Sequence, residues 1–115
     1  MAVLDTILLK VLISSPITVN TEYSSDSIDV SFREDEFAIQ LNWTNGLSVD
    51  MEIFLEASND NINFAPMTSQ VIADEFGSHI FDVGFCGAVY VRIRIEVTSG
   101  SIDLTKISYR AKRRH

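Results

Sequence analysis

Residues 88–97 read AVYVRIRIEV. Val89, Val91, Ile93, Ile95 and Val97 alternate with Tyr90, Arg92, Arg94 and Glu96, so an extended backbone presents one apolar face and one polar face. A helix would scatter the same residues around its circumference, and β-branched Val and Ile favour the pleated form. The stretch predicts a half-buried antiparallel strand, and the rest of the chain must supply the strands that cover its apolar side.

Downstream, Thr98-Ser99-Gly100-Ser101 predicts a hairpin turn into a last strand whose apolar phase changes. Ile102 and Leu104 share one face, whereas Ile107 and Tyr109 share the other; one extra residue near Thr105-Lys106, a β-bulge, returns all four to the core. Upstream, Ile80 to Phe85 predicts a strand that bends through Gly84 and Gly87. Residues 69–78 predict irregular structure around Asp74-Glu75, and Phe64 to Thr68 a strand interrupted by Pro66. Proline cannot donate to a ladder, so that strand belongs at a sheet edge or a bulge. Ser58-Asn59-Asp60-Asn61 predicts a turn in which Asn and Asp side chains close on their own backbone.

Two clear alternations precede it. Phe37, Ile39, Leu41 and Trp43 form one strand, which ends at the turn signal Thr44-Asn45-Gly46; Val49, Met51, Ile53, Leu55 and Ala57 form the next, with Asp50, Glu52, Phe54 and Glu56 on its other face. Ile28, Val30 and Phe32 make a short strand before the charged turn Arg33 to Glu36, and residues 17–27 a short extended piece and a loop. Val3 to Ile13 fits a helix through Leu4, Leu8 and Leu12 or a strand through Ile7, Leu9, Val11 and Ile13; with β neighbours and few charges, the strand is expected, ended by Ser14-Ser15-Pro16. About eight short strands with turns every 8 to 12 residues predict an all-β fold, an antiparallel β-sandwich that is jelly-roll-like.

The 115 residues make one domain: an N-terminal strand or arm (1–18), the sandwich (19–109) and a basic C-terminal tail (110–115). The lone cysteine, Cys86, rules out an intrachain disulfide and a cysteine zinc cluster. The apolar run from Val3 lacks a basic leader, contains Asp5 and Lys10 and is too short to span a bilayer, so no membrane partner is expected.

Charge is divided along the chain. Residues 1–91 hold fourteen acidic residues against Lys10 and Arg33, whereas residues 92–115 hold seven basic residues against Glu96 and Asp103, within a net charge of −7. Arg110, Lys112, Arg113 and Arg114 form a basic end that reads as a solvated tail or as a contact for an acidic neighbour. Nucleic acid is a poor partner for a body that repels phosphate.

No constellation for catalysis stands out. His79 and His115 lack a residue to orient them, and Cys86 sits in an apolar bend without a basic neighbour. The acids at Glu34-Asp35-Glu36, Asp60 and Asp74-Glu75 follow no EF-hand spacing, though paired acids in sandwich loops sometimes bind calcium. A non-enzymatic protein with no cofactor and no metal is expected. Trp43 falls on a core face, but Phe54 and Tyr90 fall on polar faces, where each is half-covered by a loop or marks a contact surface. Arg92 and Arg94 share the face of Tyr90, and with Lys106 on the adjoining strand they form a positive stripe or, with Glu52 and Glu56 opposite, a cross-strand charge ladder.

The order of these pieces resembles a class of small β-sandwich proteins common in bacteriophage virion gene sets. There a Trp-Thr-Gly turn, a Ser-Asn-Asp-Gly turn followed by an aromatic, and a Val-Arg strand with a Gly-Ser-Gly hairpin recur in sequence. Here Trp43-Thr44-Asn45-Gly46, Ser58 to Phe64, and Tyr90 to Ile95 with Thr98 to Lys112 match them across roughly residues 35–112, with Asn61 in place of glycine and Phe64 in place of tryptophan. The resemblance implies a structural component of the virion, assembled in the host cytoplasm: a capsid decoration, cement or spike-base protein, homo-oligomeric and bound to other virion proteins. Tyr90, Arg92, Arg94, Arg110, Lys112, Arg113 and Arg114 are the expected partner contacts. The competing expectation is a carbohydrate-binding module of discoidin or galactose-binding type, taking a surface glycan.

Overall fold

A computed structural model describes residues 4–13, 16–30, 36–45, 49–72, 77–84 and 88–114. Its strands are β1 (Leu4–Ile13), β2 (Ile17–Val19), β3 (Glu22–Ser24), β4 (Ile28–Asp29), β5 (Glu36–Thr44), β6 (Asp50–Ser58), β7 (Ala65–Ile72), β8 (Gly77–Val83), β9 (Tyr90–Ser99) and β10 (Ile102–Arg114). They form two antiparallel sheets, and the alternation along β9 closes the space between them: Val91, Ile93 and Ile95 are fully buried.

Among the described residues, ten strands fill eight ladder positions. β1 and β2 lie end to end along one side of β10, either side of Pro16, and β3 and β4 lie end to end along β9. Between β3 and β4, Ser25 donates its N–H to the Ile93 carbonyl (2.8 Å) and accepts the Ile93 N–H on its hydroxyl (3.0 Å), so the ladder stays satisfied across the break. The first sheet runs β1/β2, β10, β5, β8 and the second β3/β4, β9, β6, β7. Taken by ladder position, with β1/β2 and β3/β4 each counted once, the chain changes sheet at every link except β6 to β7, which is the strand order of an eight-position jelly roll.

That order corrects the expected hairpin at Thr98 to Ser101. β9 and β10 belong to different sheets, so the segment carries the chain across the sandwich, with Gly100 at φ 76°. The turn signal at Asn45-Gly46 does the same: Asn45 takes φ 57° as β5 leaves one sheet for β6 in the other. Asp103 anchors this corner, accepting hydrogen bonds from Asn45 Nδ2 (2.6 Å) and Thr18 Oγ1 (2.8 Å).

The phase change in β10 is resolved by a bulge. Leu104 pairs with Trp43 and Lys106 with Asn42, which leaves Thr105 as the extra residue; its hydroxyl donates to the Asn42 carbonyl at 3.0 Å. Ile102, Leu104, Ile107 and Tyr109 are consequently all in the core, each aliphatic side chain contributing about 1.5–3 kcal/mol by its burial. Trp43 is buried with them, and the Tyr109 ring tilts against Phe37 with centroids 5.5 Å apart.

Two boundaries move. β7 runs to Ile72 and β8 begins at Gly77, so the irregular segment expected over residues 69–78 shrinks, and Asp74-Glu75 lie outside the described residues. Pro66 sits both on an edge strand and at a bulge: Glu56 pairs with Pro66 and Leu55 with Thr68. Strand pairing also continues through Arg114, which lies opposite Leu4, so residues 110–114 extend β10 where a tail was expected.

Candidate functional site

The Ser58 to Phe64 link is the one hairpin between consecutive strands among the described residues, and its geometry follows from Asp60. The Asp60 carboxylate accepts the backbone N–H groups of Ile62 (2.9 Å) and Asn63 (2.8 Å), the Ser58 hydroxyl (2.8 Å) and Asn63 Nδ2 (2.8 Å). These bonds hold its carboxyl well below the usual carboxylate range. Asn61 adopts φ 62°, a left-handed conformation that explains why glycine also suits the position. The turn delivers Phe64 onto the outer face of the second sheet.

There it meets Arg92. The Arg92 guanidinium lies 4.0 Å from the Phe64 ring centroid, and the Arg94 guanidinium lies 4.1 Å from that of Phe54. One carboxylate joins them: Glu56 accepts from Arg92 Nε on one oxygen (2.8 Å) and from Arg94 Nε on the other (2.9 Å). Arg94 also pairs with Glu96 and lies 4.0 Å from Glu22. Glu56 is only 4% exposed. Burial pushes its carboxyl up, but the hydrogen bonds from Arg94 and Arg92, with their charges, outweigh that and hold it below its ordinary value.

Tyr90, Arg92 and Arg94 thus share one face, as expected, with Tyr90 opposite Ser58 and Arg92 opposite Glu56. The charge ladder is the form they take. Glu56 joins it, whereas Glu52 lies opposite Glu96. Glu56 is the ladder member the alternation anticipated, and its position opposite Arg92 and beside Arg94 makes it one half of a buried ion pair.

Lys106 does not belong to this group. It lies on β10 in the other sheet, and there the outer face forms a groove of about 540 Å³. One cross-strand row across it reads Val11, Ser108, Gln40, Ile80; the next holds Arg110, Ala38 and Asp82. Ser108 and Ala38 are the small side chains that leave room for the trough between Arg110, Gln40, Ile80 and Asp82. Lys106 and Arg110 are exposed on the β10 side, Glu36 and Asp82 line it from β5 and β8, and no ion pair joins them among the described residues. The side chains of Lys112, Arg113 and Arg114, like Cys86 and His115, lie outside the described residues.

His79 packs edge-on to Phe81, centroids 4.6 Å apart, and burial pushes its pKa down. Among the described residues no three His, Cys, Asp or Glu side chains come together as a metal site. Neither the known protein-family models nor the curated protein sequences match this chain.

Proposed function

We propose that this chain is a non-enzymatic structural protein of a phage particle, a capsid decoration, cement or spike-base component, acting through contacts with itself and with other virion proteins. The particle assignment rests on the resemblance of residues 35–112 in the order of their turns and strands. The mode of action rests on a single observation, the outer face of the second sheet. Tyr90, Phe54 and Phe64 with Arg92 and Arg94 are the residue types that dominate protein interfaces, and here Glu56 and the two rings fix both guanidinium groups in advance. A pre-ordered surface loses little side-chain entropy on docking.

Light-scattering mass after size exclusion, at low and high salt, tests the reading. A discrete oligomer that persists at high salt supports it, and a monomer under every condition overturns it. The groove on the first sheet favours a second reading, a glycan-binding module, because Gln40, Ser108, Lys106 and Arg110 offer hydrogen bonds there. A monomer whose melting temperature rises with a sugar would support that module.

A further inference from the structure

From the edge of the second sheet we infer that β7 is the site at which two copies of this chain join, strand against strand, about a two-fold axis. The inference rests on the assembly reading above and names its contact.

β7 pairs with β6 on one side only among the described residues, so its other side presents unpaired backbone donors and acceptors. Seven of its eight residues are exposed. Thr68 and Gln70 face the same way as the buried Leu55 and Ile53, yet both are exposed, so the first sheet leaves the inner side of β7 open. Val71, 63% exposed, stands on the outer side opposite Glu52.

Edges are normally blunted by charge, proline or a bulge. The other edges carry ionised residues, Asp5 and Lys10 in β1, Glu22 in β3, Asp29 in β4 and Asp82 in β8, apart from the three-residue β2. β7 carries none, and its proline and bulge lie at the Pro66 end, leaving Thr68 to Ile72 regular and neutral.

The same strand is its own best complement. Antiparallel pairing centred on Ser69 sets Gln70 opposite the partner copy's Thr68 on the inner side, and brings Val71 against the partner copy's Met67, the exposed bulge residue at the end of the regular stretch. Apolar then meets apolar, amide meets hydroxyl, and no charge is buried, although the chain carries a net charge of −7. A charged partner strand would leave its ions facing a neutral edge without a counter-charge. The contact is isologous and closes at two copies, joining two second sheets into one.

The experiment compares the full chain with Ser69→Lys, which sets two lysines directly opposite one another across the axis, and Val71→Lys, which the single copy accommodates opposite Glu52. Ile80→Lys on the exposed edge strand β8 is the control. Light scattering should give an even-numbered oligomer for the full chain and Ile80→Lys, and half that mass for both β7 variants. Hydrogen exchange of the full chain, needing no variant, should slow at residues 68–72 as protein concentration rises. An oligomer of unchanged mass in Ser69→Lys and Val71→Lys overturns the β7 contact and leaves the assembly reading standing. A monomer whose 68–72 amides exchange equally fast at all concentrations overturns both, as would protection gained only on adding a different protein overturn the second copy as occupant.

Discussion

On the outer face of the second sheet Arg92 and Arg94 are held, whereas on the outer face of the first no described residue holds Lys106 or Arg110 in an ion pair. The difference lies in what stands across the ladder. Opposite Arg92 is Glu56, and opposite Arg94 is Phe54, so each cation finds a carboxylate or a ring one strand away. Opposite Arg110 is Ala38, with Asp82 one strand further on; opposite Lys106 is Asn42. Adjacent strands are about 4.8 Å apart, so Asp82 stands twice as far from Arg110 as Glu56 does from Arg92, and no ion pair forms between them. Basic residues in similar alternation therefore become an internal clamp on one face and, among the described residues, unpaired charge on the other.

The largest expected effect comes from removing the clamp. Glu56→Ala strands two partly buried guanidinium groups and should lower the unfolding free energy by about 2–3 kcal/mol. Asp82→Ala should cost less than about 0.5 kcal/mol. Urea midpoints measure both, and equal losses would mean the faces do not differ energetically.

A smaller effect separates ring from carboxylate. Phe54→Ala should cost about 1–2 kcal/mol, and a double-mutant cycle with Arg94→Ala should show coupling of about 0.5–1 kcal/mol. Zero coupling would assign the clamp to Glu56 alone.

Acid should distinguish the faces as well. The folded Glu56 carboxyl titrates below its unfolded value of 4.5, so its contribution is complete above pH 4.5 and is lost as pH falls through the lower folded value. Unfolding curves of Glu56→Gln between neutrality and acid should therefore fall less steeply below pH 4.5 than those of the parent chain. A parallel decline would remove Glu56 as a source of acid sensitivity. The smallest expected effect is at Lys106→Gln, within about 0.5 kcal/mol of the parent by thermal unfolding.

What the sequence made legible was whatever depends on neighbours along the chain. The alternation from Val89 to Val97, the bulge implied by Leu104 and Ile107, the edge placement of Pro66 and the self-closing turn at Asp60 are local signals, and each appears in the fold. Pairing between distant segments was not legible. Asn45-Gly46 and Gly100 favour a change of direction equally well within a sheet or between sheets, so turn chemistry alone could not separate a hairpin from a crossing. For the same reason Lys106 was grouped with Arg94, its neighbour in the expected hairpin, and Glu52 was expected in the ladder beside Glu56, although it lies opposite Glu96. Both errors vanish once β9 is paired with β6 in its observed register.

Because nearly every link changes sheet, the fold must wait for its tenth strand. β10 lies between β1/β2 and β5, with Leu4 opposite Arg114, so the first sheet has no middle until that strand arrives. Only β6 and β7 can zip locally; the other ladders each close a long loop before any contact rewards it. Such a chain folds in milliseconds to seconds where a helical bundle takes microseconds. Over that interval the apolar sides of β5, β6 and β9 stay open to water, so refolding yield should fall as protein concentration rises.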